Sequence, residues 1–318
     1  MINADAGVPL DLKHWPRIAR IPVVAAWQGM KVGLRLKQVV HSRSFDLTWL
    51  QRELVTGHQT IEWILGRPLV LDVDDAIWLG KPGVADHVAR IATRADLILA
   101  GNSYIADWFS RFNRHVHIVP TGVDCDRHVP GNAASSGKFV VGWIGTRGNL
   151  RYLSDIAPAL RTFLARHPDA ELHVVSDQAP VLPDLPPSQV RVIRWSESSE
   201  VKSIQHMTIG IMPLPDDPWT RGKCSFKMLQ YMACGLGVVV SPVGMNKYVL
   251  GLDSIGLGAT TLNDWAESLE YMYGNPSACA NMGARGVQVV RRDFSTEIVS
   301  HTIATLFATG KPSCASSS

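Results

Sequence analysis

Short apolar runs rich in β-branched residues alternate with helical patterns along almost the whole chain, and that alternation constrains the fold before any motif does. Strands too short and too apolar to show one wet face are strands covered on both sides, so they belong to a parallel sheet flanked by helices. In the first half, strands are expected at Pro22–Ala26, Asp46–Leu50, Pro68–Asp72, Leu97–Ala100 and Val116–Val119. Helical patterns lie near Met30–His41, His58–Leu65, Val84–Arg94 and Ser103–Phe112. The small polar stretch Pro130–Gly137 resembles a linker. A second βα series follows, with strands at Phe139–Ile144, Leu172–Ser176, Val190–Ile193, Ile209–Met212 and Val238–Val240. A long helix is expected over Leu150–His167, two or three helices over Leu262–Phe307, and a frayed end over Ser313–Ser318. The economical arrangement is α/β with two Rossmann-like domains, 1–134 and 135–318, the last helix packing back on the first.

Length and composition agree. A chain of 318 residues, 46% apolar, suits two domains with real cores. A net charge of +3 is too small to argue for nucleic acid. The five cysteines, Cys125, Cys224, Cys234, Cys279 and Cys314, are scattered and lack Cys-x-x-Cys spacing, which fits a reducing cytoplasm and argues against a zinc site. No signal-peptide pattern appears, and no apolar run reaches the ~18–20 residues of a membrane span. A soluble or peripheral cytoplasmic protein is expected.

Residues 221–244 carry the most chemistry. A polar turn opens a short amphipathic helix, a glycine ends it, and an apolar strand follows. Free amides and the helix dipole at such an entrance favour an anion, above all a phosphate. Gly222, Lys223 and Ser225 are expected at the entrance, with Lys223 and Lys227 adding charge and Gln230 two turns along the same face. The alternative is a surface helix with solvated lysines. Two lysines and a serine at a helix start, where the dipole disfavours cations unless an anion is bound, oppose that alternative. At 140–150 a strand runs through Gly145, Thr146 and Arg147 toward a helix. That is either a ligand-facing strand end or an ordinary turn with Asn149 as cap. Gly142, Gly145 and Gly148 lack Gly-x-Gly-x-x-Gly spacing, so no nicotinamide site is expected.

Asp72, Asp74 and Asp75 follow an apolar run. Acids at a strand end can hold a divalent metal or order a loop, and the structural role is favoured. Histidines are dispersed without metal-ligand spacing, although His115 and His117 alternate along one strand. Lys13, Arg17, Arg20, Lys31, Arg35, Lys37 and Arg43 fall in a stretch with few acids, interleaved with Val32, Leu34, Leu36, Val39 and Val40. That suits either a face meeting anionic lipid or a partly solvated surface helix.

The segment Gly222-Lys-Cys-Ser-Phe-Lys-Met-Leu-Gln-Tyr-Met-Ala-Cys-Gly235 resembles the donor-binding helix of group 1 (family 4) glycosyltransferases of the GT-B fold. Phe45-Asp46, Gln51-Arg52-Glu53, Asp72–Trp78, Asn102–Tyr104, Val119–Asp124 and Gly142–Thr146 are also similar. The resemblance implies two facing Rossmann-like domains with the active site in the cleft. It implies a retaining, metal-independent transfer of sugar from a nucleotide-sugar donor to a glycan or lipid-linked acceptor, with no further cofactor. Gly145, Thr146 and Arg147 would approach the donor phosphates. Lys223, Cys224, Ser225 and Phe226 would supply amides to the diphosphate, with Lys227 in support. Gln230 stands where most members have a ribose-binding glutamate, and Gly222 where they have the other glutamate of the Glu-x7-Glu pattern. Contacts to the sugar would then fall to Asp216 or Asp217. Lys223 would stabilise the departing diphosphate, and Asp74 and Asp75 are the acceptor-side candidates, with Asp75 the one favoured. Family members begin with a strand, a glycine-rich turn and a helix. Here the chain opens Met1-Ile-Asn-Ala-Asp-Ala-Gly7, so a first βαβ unit of roughly 30 residues is expected to be missing from the N-terminal domain. Two alternatives accompany this expectation. One is a degenerate, non-catalytic nucleotide-sugar binder. The other is a metal-dependent GT-A-type transferase using Asp72 and Asp74.

Overall fold

The computed structural model describes residues 16–54, 60–80, 82–131 and 137–309. Lys13, His14, His58, most of the Pro130–Gly137 stretch, Cys314 and the Ser313–Ser318 tail lie outside the described residues. One compact unit ends at Val119 and the other runs from Pro120 to Thr309, so the division falls ahead of the 130–137 stretch and the last helix belongs to the second unit.

The first unit contains α1 (Arg17–His41), β1 (Thr48–Gln51), β2 (Leu69–Val73), α2 (Val84–Arg94), β3 (Leu97–Ala100), α3 (Ser103–Phe109) and β4 (Val116–Ile118). Its sheet is parallel with order β1-β2-β3-β4. Leu69, Val70, Leu71 and Val73 are all buried, which is why β2 appears in the sequence as an unbroken apolar run. Asn102, two residues past β3, caps α3, its side chain accepting from the Ile105 amide at 2.9 Å.

The second unit contains β5 (Phe139–Ile144), α4 (Leu150–Asp155), α5 (Ala157–Arg166), β6 (Ala170–Ser176), β7 (Val190–Arg194), α6 (Glu200–Gln205), β8 (Ile209–Met212), α7 (Pro218–Arg221), α8 (Phe226–Ala233), β9 (Gly237–Val240), α9 (Met245–Leu250), β10 (Gly256–Gly258), α10 (Leu262–Gly274), α11 (Pro276–Val289) and α12 (Thr296–Thr309). Its six strands are parallel in the order β10-β9-β8-β5-β6-β7. The chain starts in the middle at β5, winds out through β6 and β7, then returns to β8 and winds the other way. That is a doubly wound sheet with its switch point between β5 and β8. Alternate β5 side chains feed two cores. Val140 and Ile144 join Met228, Leu229, Met232 and Phe294 on one face, while Val141 and Trp143 join Leu160, Phe163, Trp265 and Leu269 on the other. Each fully buried side chain of this kind contributes roughly 1.5–3 kcal/mol.

Three expectations change. Pro22–Ala26 lies inside α1 rather than in a strand. Its Val23-Val24 pair suggested a strand, but the helical period downstream extends back through it, and α1 runs on past Pro22, its sixth residue, at the cost of the backbone bond that a proline cannot donate. The expected helix over Leu150–His167 breaks at Ile156 into α4 and α5, where Pro158 enters the first turn of the second piece. Near Leu65 only a short 3₁₀ turn, Glu62–Ile64, is formed among the described residues.

Candidate functional site

The carboxyl ends of β5 and β8 flank the switch point, and in doubly wound sheets ligands sit there. The segment after β5 is Gly145-Thr146-Arg147, with Gly145 half-buried and Thr146 and Arg147 exposed. Gly145 has a local cause: a Cβ there would lie 2.5 Å from the Trp143 indole. The Arg147 amide donates to Asp177 Oδ1 at 2.8 Å, which fixes the turn while the guanidinium lies outward. Asn149 does not cap α4 with its side chain.

The segment after β8 leads through α7 to α8. Asp217 caps α7 in a reciprocal pair with Thr220, and Asp216 forms a fork with Arg221 at 2.6 and 3.1 Å. Both acids expected to meet a sugar are therefore committed to shaping this loop. Helix α8 begins at Phe226, so Lys223 precedes the helix instead of sharing a face with Gln230. The first helical bond runs from the Leu229 amide to the Ser225 carbonyl, and the amides of Phe226, Lys227 and Met228 lie ahead of it. Ser225 adopts a left-handed backbone at φ 56°, an uncommon state for a residue with a side chain. Its hydroxyl donates to Asn246 Oδ1 at 2.6 Å, and Asn246 Nδ2 donates to the Ser241 carbonyl at 3.0 Å. Ser241 Oγ in turn accepts from the Leu214 amide at 3.0 Å. This buried chain ties the start of α8 to the ends of β8 and β9. On the other side, Tyr231 packs its ring on Gly210, and its hydroxyl accepts from the Ile144 amide at 2.8 Å. That bond joins α8 to the last residue of β5. Burial pushes the Cys234 thiol up to about 12, so it stays protonated and offers no nucleophile.

Beneath the entrance lies a polar network that the sequence did not announce. Lys227 Nζ donates to Glu200 Oε1 at 3.0 Å and to Gln230 Oε1 at 2.9 Å. Gln230 Nε2 donates to Glu200 Oε2 at 3.1 Å and to His128 Nε2 at 3.0 Å. His128 Nδ1 faces the Asp124 carbonyl at 3.0 Å, which can only accept, so the proton is on Nδ1 and Nε2 is the acceptor. The Trp195 indole also donates to Glu200 Oε1, at 3.1 Å. Burial works to raise the Glu200 carboxyl, but the Lys227 charge and the hydrogen bonds from Trp195, Lys227 and Gln230 outweigh it and hold the value below the ordinary carboxylate range. Gln230 is 1% exposed with every polar atom engaged, contrary to the expectation that it faces a ribose. The lysine at the wrong end of the helix dipole is likewise balanced from within, by Glu200, and needs no bound anion to explain it.

The expected residues thus sort into layers. Thr146, Arg147 and Phe226 are exposed, Gly145 and Lys223 half-buried, and Cys224, Ser225 and Gln230 buried. Lys223 carries its ammonium over the Trp219 ring, 5.6 Å from the centroid. Glu200, His128, Tyr231 and Asn246 were missed because their partners lie far away in sequence and no local period links them; a weak sign was the polar run that leads into Glu200, the first residue of α6.

In the first unit, Arg52 stands at the end of β1 with φ 63°. Its guanidinium bridges Asp75 Oδ2 at 2.8 Å and Asp74 Oδ1 at 3.6 Å. Trp49 donates to Asp72 Oδ2 at 3.3 Å; burial pushes the Asp72 carboxyl up, and the neighbouring Asp74 charge adds to that. The acids order this loop through a cation, and α2 is preceded by Gly83 rather than capped by them. Among the described residues, no group of three or more His, Cys, Asp or Glu side chains is placed to hold a metal ion.

Residues 138–275 match the family model described as glycosyl transferases group 1. The match spans both the Gly142–Thr146 turn and the whole 222–235 segment that carried the resemblance. A search of curated protein sequences finds no match. Among solved structures, sucrose-phosphate synthase from Thermosynechococcus elongatus is similar at a TM-score of 0.69 and 14% identity, over 94% of this chain and 81% of that one. The Anabaena protein HepE in complex with UDP and glucose gives a TM-score of 0.69 at 14% identity, over 92% of this chain and 83% of that one. An α,α-trehalose-phosphate synthase (UDP-forming) from Burkholderia vietnamiensis gives 0.66 at 12% identity, over 96% and 78%. These likenesses establish the fold as GT-B with two Rossmann-like units, which removes the GT-A alternative.

Proposed function

From a chain whose residues 138–275 carry the group 1 glycosyl transferase signature on a GT-B fold, we propose a glycosyltransferase that takes its sugar from a nucleotide-sugar donor. The observation that supports it most is the α8 entrance at the switch point. There, first-turn amides are pinned at the ends of β5, β8 and β9 while the charges beneath them are already neutralised. Such donors suit a diphosphate that gains negative charge as the sugar departs, and fixed amides need no reorganisation to stabilise it. Lys223 is the proposed electrostatic catalyst, with Gly145, Thr146 and Arg147 approaching the phosphates. HepE was crystallised with UDP and with UDP-glucose, which makes a uridine donor the first to try.

Transfer with retention, without a metal or other cofactor, to a glycan or lipid-linked acceptor completes the proposal. It also places the enzyme in the cytoplasm, where a lipid-linked acceptor would bring it to the inner face of the membrane. Asp75, oriented by Arg52, is the acceptor-side candidate base. A second reading, a donor-binding homologue without turnover, is favoured by Gly222 and by the internal engagement of Gln230.

Incubating the protein with UDP-, GDP- and ADP-sugars tests both. Thermal stabilisation by one donor together with release of its nucleoside diphosphate supports the enzyme, and Lys223→Ala should lose most of the release while staying folded. Stabilisation without release in any acceptor mixture supports the binder. Stabilisation by none contradicts both.

A further inference from the structure

Helix α1 leaves an apolar face uncovered. Leu36, Val40, Met30 and Leu34 are 45, 56, 37 and 45% exposed, and Ile18 and Ile21 are more exposed still. Gly29, Gly33, Leu36 and Val40 form one stripe at helical spacing, and Met30, Leu34, Lys37 and His41 form the next. No atom would meet a Cβ placed on Gly29 or Gly33. The opposite face is the one that packs, with Val39 buried and Lys31 laid over Trp27. Exposed Lys37, His41 and Arg43 line a shallow groove with Gly33, Leu36 and Val40. Phe45, 59% exposed, packs edge-on against His41 at the rim. Residues 13–45 hold seven lysines and arginines and no acid. No helix among the described residues is long and apolar enough to cross a membrane.

We propose that this face of α1 docks on the surface of an anionic phospholipid bilayer. An apolar stripe rimmed by cations lies in the plane of a bilayer, apolar side inward, with basic groups at the phosphates. A second copy of the chain fits less well, because a two-fold contact would set Lys37 and Arg43 against their own equivalents with no acid within residues 16–45 to offset them. The inference goes beyond sugar transfer and does not depend on it.

Co-sedimentation of the full chain with vesicles provides the test. Equimolar phosphatidylcholine and phosphatidylglycerol should retain the protein at low salt, at least about tenfold more tightly than phosphatidylcholine alone. Leu36→Asp with Val40→Asp should weaken retention at least about tenfold, and Lys37→Glu by about fivefold or more. These positions are exposed, so circular dichroism and nucleotide-induced stabilisation should match the unaltered protein. Equal retention on both vesicle types, undiminished retention of the double variant, or a dimer that the double variant dissociates would each overturn the proposal.

Discussion

The two sheets end in polar edges that share a backbone geometry but differ in where their charges go. In the first unit the cation stands at the edge itself: Arg52 spans Asp74 and Asp75, so the edge satisfies itself at the surface. In the second unit the charges are paired one layer down. Glu200 holds Lys227 and Gln230 inside, and the edge above presents backbone amides. An edge neutralised from beneath is left with directed donors for a ligand. An edge neutralised in its own plane offers no such donors. On that difference rests the proposal that the donor diphosphate binds the second unit.

Removing the deep partner should produce the largest effect. Glu200→Ala leaves the Lys227 ammonium uncompensated and should cost about 3–5 kcal/mol in urea unfolding. Tyr231→Phe strands the buried Ile144 amide and should cost about 1–3 kcal/mol, while loosening α8 from β5 enough to weaken nucleotide-dependent stabilisation. Ser225→Ala removes the bond to Asn246 and should cost about 1 kcal/mol, with a larger fractional loss of nucleotide affinity than of stability. Asp75→Asn, at the self-satisfied edge, should cost no more than about 1 kcal/mol and leave nucleotide affinity unchanged. Equal costs for Glu200→Ala and Asp75→Asn would erase the distinction between the edges.

Acid offers a second way to separate them. Since the folded Glu200 carboxyl is depressed from its ordinary 4.5, its stabilising contribution is complete above that value and disappears as pH falls through the lower, folded one. Asp72 is raised, so its contribution has the opposite sign: folding gains from protonating it as pH falls. The loss of stability between neutral pH and acid, followed by second-unit tryptophans such as Trp195, should therefore be smaller when Lys227 is replaced by Met, because the group that depresses Glu200 is gone.

The elements that carry the second unit were legible because each has a local signature. β5 and β8 appear as apolar runs at the ranges observed, and Gly235 at φ 80° ends α8 where the sequence places a helix stop. The start of α8 was legible for the same reason, as a polar turn ahead of an amphipathic run. What surrounds it was not. Lys227 and Gln230 seemed free because their partners, Glu200 and His128, come from other elements, and only tertiary packing brings them together. Asp216 and Asp217 likewise looked available until the short α7 formed between them and Lys223. Pro22–Ala26 misled in the opposite way, a strand-like local pattern overruled by the longer helical period it belongs to.

The central claim is that the α8 entrance binds a diphosphate. Calorimetric titration of the full chain with UDP and with uridine tests it directly, since the two differ only in the group the entrance should hold. The account predicts that UDP binds at least about tenfold more tightly than uridine, and that Lys223→Ala or Arg147→Ala narrows the gap. Equal affinity for both, unchanged in these variants, would contradict it.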